Sequence, residues 1–302
     1  MTSTEPGSQP GSQPGSGRLG RLLPDGLRLA LTTLTVAPVR GPREITRRTA
    51  GTAMSLAPLV GLGLGLVVAA VLVSVRELSP YDEPQLLAAA LAVVTLAVLT
   101  RGLHLDGLAD TVDGLASYRP ADQARAVMRS PEVGPLGVVA LVAVLLVQVT
   151  ALYTATTTGR GTASVLLALA AGRIAVAAAC TPSTPAADRS GRGAMVAGTV
   201  PRLVPVAWAG LLVTAGMAYE AFDEGTTSLG ARGVDMVRPL LAVLLALLVA
   251  RLLRRHCVRR LGGVTGDVLG ALVEVTTTIV LVVMALDLPV AVQQELDWIQ
   301  PR

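Results

Sequence analysis

The chain has 302 residues, 52% of them hydrophobic and only 2% aromatic, with a mean hydropathy of +0.61. A soluble core cannot absorb that much apolar surface, so the bilayer is the natural solvent, and an apolar mass of Ala, Val and Leu suits close helix packing in lipid. The net charge of +4 rests on arginine without a single lysine, and no basic stripe interleaved with aromatics occurs, so no nucleic-acid partner is expected. Two isolated cysteines, Cys180 and Cys257, and two histidines support neither a disulfide framework nor a zinc site.

In chain order, residues 1–17 form a Gly-Ser-Gln-Pro repeat that lacks the charged-then-apolar pattern of a cleavable signal, and a disordered tail is expected. Residues 18–53 read as a cytoplasmic or interfacial segment. Within it, 27–39 is apolar but too short to span and is interrupted by Pro38, which favours an interfacial or re-entrant helix. A hydrocarbon core roughly 30 Å thick needs about 20 helical residues. About seven runs approach that length, near 54–75, 85–100, 135–157, 163–180, 203–221, 237–253 and 268–288. The expected fold is therefore all-α: a polytopic transmembrane helical bundle of about seven spans over 54–288, with cytoplasmic polar loops and a C-terminal tail at 289–302. Gly61, Gly63 and Gly65 lie inside the first span, where close helix packing explains them better than a dinucleotide loop does.

Arginine placement orients the spans, because basic residues in short loops stay on the cytoplasmic side. Seven arginines precede the first span, and the next connection has only Arg76 against Glu77, Asp82 and Glu83. The following connections hold four, one, three, one and five arginines in turn. This alternation puts the N-terminus inside, the C-terminus outside and the polar segments at the cytoplasmic face; the inner membrane of a prokaryote is the expected location.

Three of those cytoplasmic segments carry chemistry. The first, His104-Leu105-Asp106-Gly107-Leu108-Ala109-Asp110-Thr111-Val112-Asp113-Gly114, holds three aspartates within eight residues. On a helix, Asp106, Asp110 and Asp113 would share one face over about 10 Å and repel one another, a conflict that Mg²⁺ resolves through hard oxygen ligands shared with substrate phosphates. A solvated acidic loop with helix-capping aspartates is the alternative, and Gly107 and Gly114 weaken the helix. His104 reads equally well as a proton acceptor or as a helix-end histidine with a structural hydrogen bond.

The second segment, Asp188-Arg189-Ser190-Gly191-Arg192-Gly193, offers Arg189 and Arg192, either as phosphate clamps or as charge that sets topology. Just upstream, Arg173 lies inside the fourth span and must face the protein interior, where Glu274 or a substrate phosphate could pair with it. The third segment, Gly262-Gly263-Val264-Thr265-Gly266-Asp267, opens the last span. Its glycines can present amide N–H groups to phosphate, or they end one helix while Asp267 caps the next. Glu274 lies two turns beyond Asp267 on the same face, about 10 Å deeper, and needs a partner there.

These motifs, in this order, together with Met128-Arg129-Ser130 through Gly134 and Gly137 and with Gly270, resemble cobalamin synthase, the adenosylcobinamide-GDP ribazoletransferase family. The resemblance extends from about Leu27 to Leu288; Arg129 departs from it, because an acidic residue commonly follows the methionine. It implies that α-ribazole, or its 5′-phosphate, attacks the diphosphate of adenosylcobinamide-GDP through a ribose hydroxyl and releases GMP. It also implies Mg²⁺ as cofactor. On this reading Asp106 and Asp110 ligate the metal, and Asp113 ligates a second ion or accepts the hydroxyl proton. Asp267 and Glu274 complete the acidic cluster, while Arg173, Arg189 and Arg192 contact phosphate. The lipid bilayer is the remaining partner, with homo-oligomers or association with other cobalamin-pathway enzymes left open. Two rivals stand beside it: a CDP-alcohol phosphotransferase, whose Asp-Gly-x-x-Ala-Arg pattern is absent, and a cation-coupled transporter, whose carboxylates should approach the midplane.

Overall fold

The computed structural model describes residues 23–78, 84–222 and 229–286; the tails expected at 1–17 and 289–302 and part of the connection after the first span lie outside them. The described residues form eleven helices: α1 (Asp25–Leu34), α2 (Arg47–Leu78), α3 (Gln85–Leu99), α4 (Leu103–Ala116), α5 (Ala121–Met128), α6 (Pro135–Thr157), α7 (Gly161–Ala179), α8 (Arg192–Val196), α9 (Leu203–Phe222), α10 (Leu229–Leu261) and α11 (Gly266–Ala285). Six of them, α2, α6, α7, α9, α10 and α11, are long and apolar enough to cross a membrane. A seventh crossing results if α3 and α4, bent by 87° at their junction, count as one broken span. This is a multi-pass helical membrane protein. Leu66, Val98, Leu146 and Leu203 are among the large apolar side chains left exposed, as suits a surface solvated by acyl chains.

Small residues set the packing. A Cβ on Gly61 would strike the Leu169 carbonyl, and one on Gly65 would press on Leu166, so α2 and α7 cross almost backbone to backbone. Gly63 points into open space and plays no such part. Gly172 lets α7 close on Val273 and Thr277 of α11 in the same way. As a result α7, rich in alanine, is buried along nearly its whole length and forms the centre of the bundle.

The helices differ from the sequence expectation mainly at their polar ends. Helix α10 does not stop near Leu253 but runs through the arginine-rich stretch to Leu261, so His256 and its arginine neighbours stand on a helix rather than in a loop. Residues 101–134 contain α4 and α5. The turn between α3 and α4 uses two consecutive left-handed residues, Arg101 at φ 55° and Gly102 at φ 64°. Helix α1 is shorter than the apolar run: it ends at Leu34, before Pro38, and packs on α2, with Gly26 against Thr52 and with Leu29, Ala30 and Leu34 buried. Alternating passage through the bundle gathers the start of α2, the end of α3, the start of α6, the ends of α7 and α10 and the start of α11 on one face. All three polar segments join there.

Candidate active site

Asp106, Asp110 and Asp113 recur on one side of α4, and the motif's glycines serve its other contacts. Gly107 lies on the backbone of Asp267, Gly270 of α11 lies on the backbone of His104 and Gly107, and Gly114 makes room for Met128 of α5. Tertiary packing thus overrides the poor helix propensity of glycine here. The Gly107–Asp267 approach delivers the first turn of α11 to the acidic face of α4. Asp110, half-buried, feels the negative charges of Asp106, Asp267 and Asp113, and Asp267 in turn feels Asp106. Carboxylates from two helices far apart in sequence therefore crowd one small region.

The loop before α11 is held by its neighbours. Gly262, at φ 85°, ends α10. Gly263 packs so tightly on the backbone of Ala186 and Ala187 that a side chain could not fit. A single parallel bridge joins Ala186 and Val264, through Val264 N–H to Pro185 O at 3.0 Å and Ala187 N–H to Val264 O at 3.1 Å. The N-cap of α11 is Thr265, not Asp267: the Thr265 hydroxyl accepts from the Val268 N–H at 3.2 Å and donates to the Asp267 carboxylate at 3.3 Å. Asp267 is left in the first helical turn, half-buried.

The same bridge brings in the loop at 188–193. Gly193 packs on Val264 and Thr265, and Arg192 sits beside Gly266 within electrostatic reach of Asp267. Arg192 lines three cavities in succession. One, of about 1080 Å³, also takes Arg101 and Asp106 into its wall. A second, polar and about 280 Å³, has Arg125, Arg129, Thr265, Gly266 and Asp267. The third, about 80 Å³, has His104, Asp267 and Gly270. Arg189 is exposed and lines none of these.

Other predicted residues have different surroundings. Both Asp113 oxygens accept backbone N–H groups at the start of α6, from Gly134 at 2.7 Å and Gly137 at 2.8 Å. Any side chain at Gly137 would collide with that carboxylate, which accounts for both glycines of the motif. Glu274 is buried deeper in α11, where Gln148 of α6 donates to it at 2.8 Å; Arg173 on α7 lies within its electrostatic reach, and the Arg173 guanidinium is buried as well. This polar group ties three spans together but lines none of the three cavities.

Sequence reasoning missed Arg125 and treated Arg129 only as a departure. Asp188 holds both in place, pairing with Arg125 Nε at 3.1 Å and Arg129 Nη1 at 3.2 Å. Arg47, read as topogenic charge, hydrogen-bonds the carbonyls of Ala194 and Ala197 and fastens α8 to α2. No sequence signal separated these arginines from their neighbours. Among the described residues no three His, Cys, Asp or Glu side chains converge closely enough to hold an ion by themselves.

The fold and site define a polytopic membrane protein with an acidic cluster beside cavities lined by arginine. The cobalamin-5-phosphate synthase family model matches residues 26–285, and the chain belongs to that family. Relatives named adenosylcobinamide-GDP ribazoletransferase include one from Frankia casuarinae, 44% identical over 273 residues, or 88% of this chain and 96% of the relative. Another from a Nocardioides species is 44% identical over 262 residues (86% and 98%), and one from Stutzerimonas stutzeri is 36% identical over 263 residues (86% and 97%). No solved structure matches.

Proposed function

We propose that this chain is an adenosylcobinamide-GDP ribazoletransferase, the enzyme that completes the nucleotide loop of cobalamin. A ribose hydroxyl of α-ribazole, or of its 5′-phosphate, bonds to the phosphorus that carries the corrinoid. The bond from that phosphorus to GMP breaks, and the hydroxyl proton passes to a base. The observation that carries the reading is the meeting of Asp106 and Asp110 on α4 with Asp267 on α11, opposite Arg192.

Asp106, Asp110 and Asp267 are the oxygen donors we assign to Mg²⁺. The three do not converge closely enough to hold an ion by themselves, so diphosphate oxygens and water would complete the shell, an arrangement common for this ion. When bound, it would neutralise charge on the diphosphate. Arg192, Arg129 and Arg125 orient phosphate oxygens, a task for which the planar guanidinium is well shaped. His104, buried beside Asp267 in the small cavity, is our assignment for the proton acceptor. Asp113 holds the start of α6, and Glu274 with Gln148 and Arg173 fixes the spans that carry the site. The proposal includes an inner-membrane location with the site facing the cytoplasm.

Purified protein in lipid nanodiscs, given adenosylcobinamide-GDP, α-ribazole and Mg²⁺, should release one GMP for each corrinoid converted. Well-folded protein that forms neither product would overturn the assignment.

A further inference from the structure

We propose that the cavity of about 1080 Å³ walled by α1, α2, the start of α4, and α8 seats the corrinoid half of the substrate, while the polar pocket across Arg192 takes the nucleotide half. This rests on the ribazoletransferase reading. The reacting diphosphate is bonded to a corrinoid on one side and to guanosine on the other. Wherever the aspartates hold it, both halves must find space next to them.

Three described cavities touch the cluster: the large one through Asp106, and those of about 280 and 80 Å³ through Asp267. Small-molecule pockets usually measure roughly 300–1,000 Å³, so only the first has room for a macrocycle. Its wall also has the right chemistry. Leu29, Ile45, Met54, Leu141, Met195 and Val196 offer apolar surface to broad ring faces, and Arg101 and Asp106 stand where the diphosphate would leave the ring. The pocket of about 280 Å³ is lined instead by arginines, Ser190 and Thr265, partners for phosphate and ribose oxygens. Another cavity, about 500 Å³ between α7, α9 and α10, is apolar but contains none of the aspartates and so cannot hold the reacting group. Helix α1 thereby gains a purpose its length alone did not suggest: Leu29 and Thr33 close one side of the corrinoid seat.

The test fills the cavity. Ile45 and Met195 line it and are 53% and 38% exposed, so Ile45→Trp and Met195→Trp leave the packed core alone. In nanodiscs, each variant should raise KM for adenosylcobinamide-GDP roughly tenfold or more while KM for α-ribazole stays within about twofold. Unchanged KM for the corrinoid in both variants, or equal rises for both substrates, would overturn the assignment. Binding is read separately, as visible corrinoid absorbance that co-elutes with the protein. Should the parent protein make no product, the function reading falls, and co-elution then decides the cavity: loss in Ile45→Trp supports it, and retention equal to the parent refutes it.

Discussion

Asp106 and Asp113 stand two turns apart on one helix and have different surroundings. Asp106 is exposed at a cavity wall, whereas both oxygens of Asp113 accept N–H groups from α6. Substituting Asp106, Asp110 or Asp267 by Asn should therefore cut turnover by roughly 10²-fold or more with little change in thermal unfolding. Asp113→Ala should act the other way round. It strands two N–H groups and should cost about 1–3 kcal/mol, seen as a lower melting temperature in detergent, and Asp113→Asn, which keeps one acceptor, should cost less. Spacing alone identified the aspartates as a set. It could not divide them, because the division depends on Gly134 and Gly137, which the fold brings in from the next span.

At the scale of elements, hydropathy located the spans well, because lipid demands long apolar helices and little else produces them. It failed where polarity and helix coexist. Arginines hid the last two turns of α10, and Gly107 and Gly114 obscured α4. Those glycines are legible only once the partner backbone is known. Gly107→Val should lift α4 from Asp267 and abolish turnover while circular dichroism still reports full helical content. Gly137→Ala should reproduce the stability loss of Asp113→Ala, since the added methyl occupies the space of that carboxylate. Gly262 ends a helix and Gly263 admits a neighbouring chain segment, which accounts for both glycines by backbone geometry alone.

For the molecule as a whole, the alternating arginine content of the connections anticipated the gathering of all three polar segments on one face. Orientation can be read directly, because Cys180 and Cys257 are both buried and give little background labelling. Ser190→Cys, at an exposed position beside Arg192, should react with an impermeant maleimide in inverted vesicles and stay silent in intact cells. Glu77→Cys should do the reverse. Labelling of the Ser190→Cys variant in intact cells would reverse the assigned orientation.

The backbone seating of Asp267 on Gly107 also has a consequence for biosynthesis. One half of that joint emerges from the ribosome early, and the other arrives only with the last described helix, α11. A nascent chain halted just before α11 already carries most of the described helices and still lacks a carboxylate of the cluster, so such a copy would be inert toward the substrate.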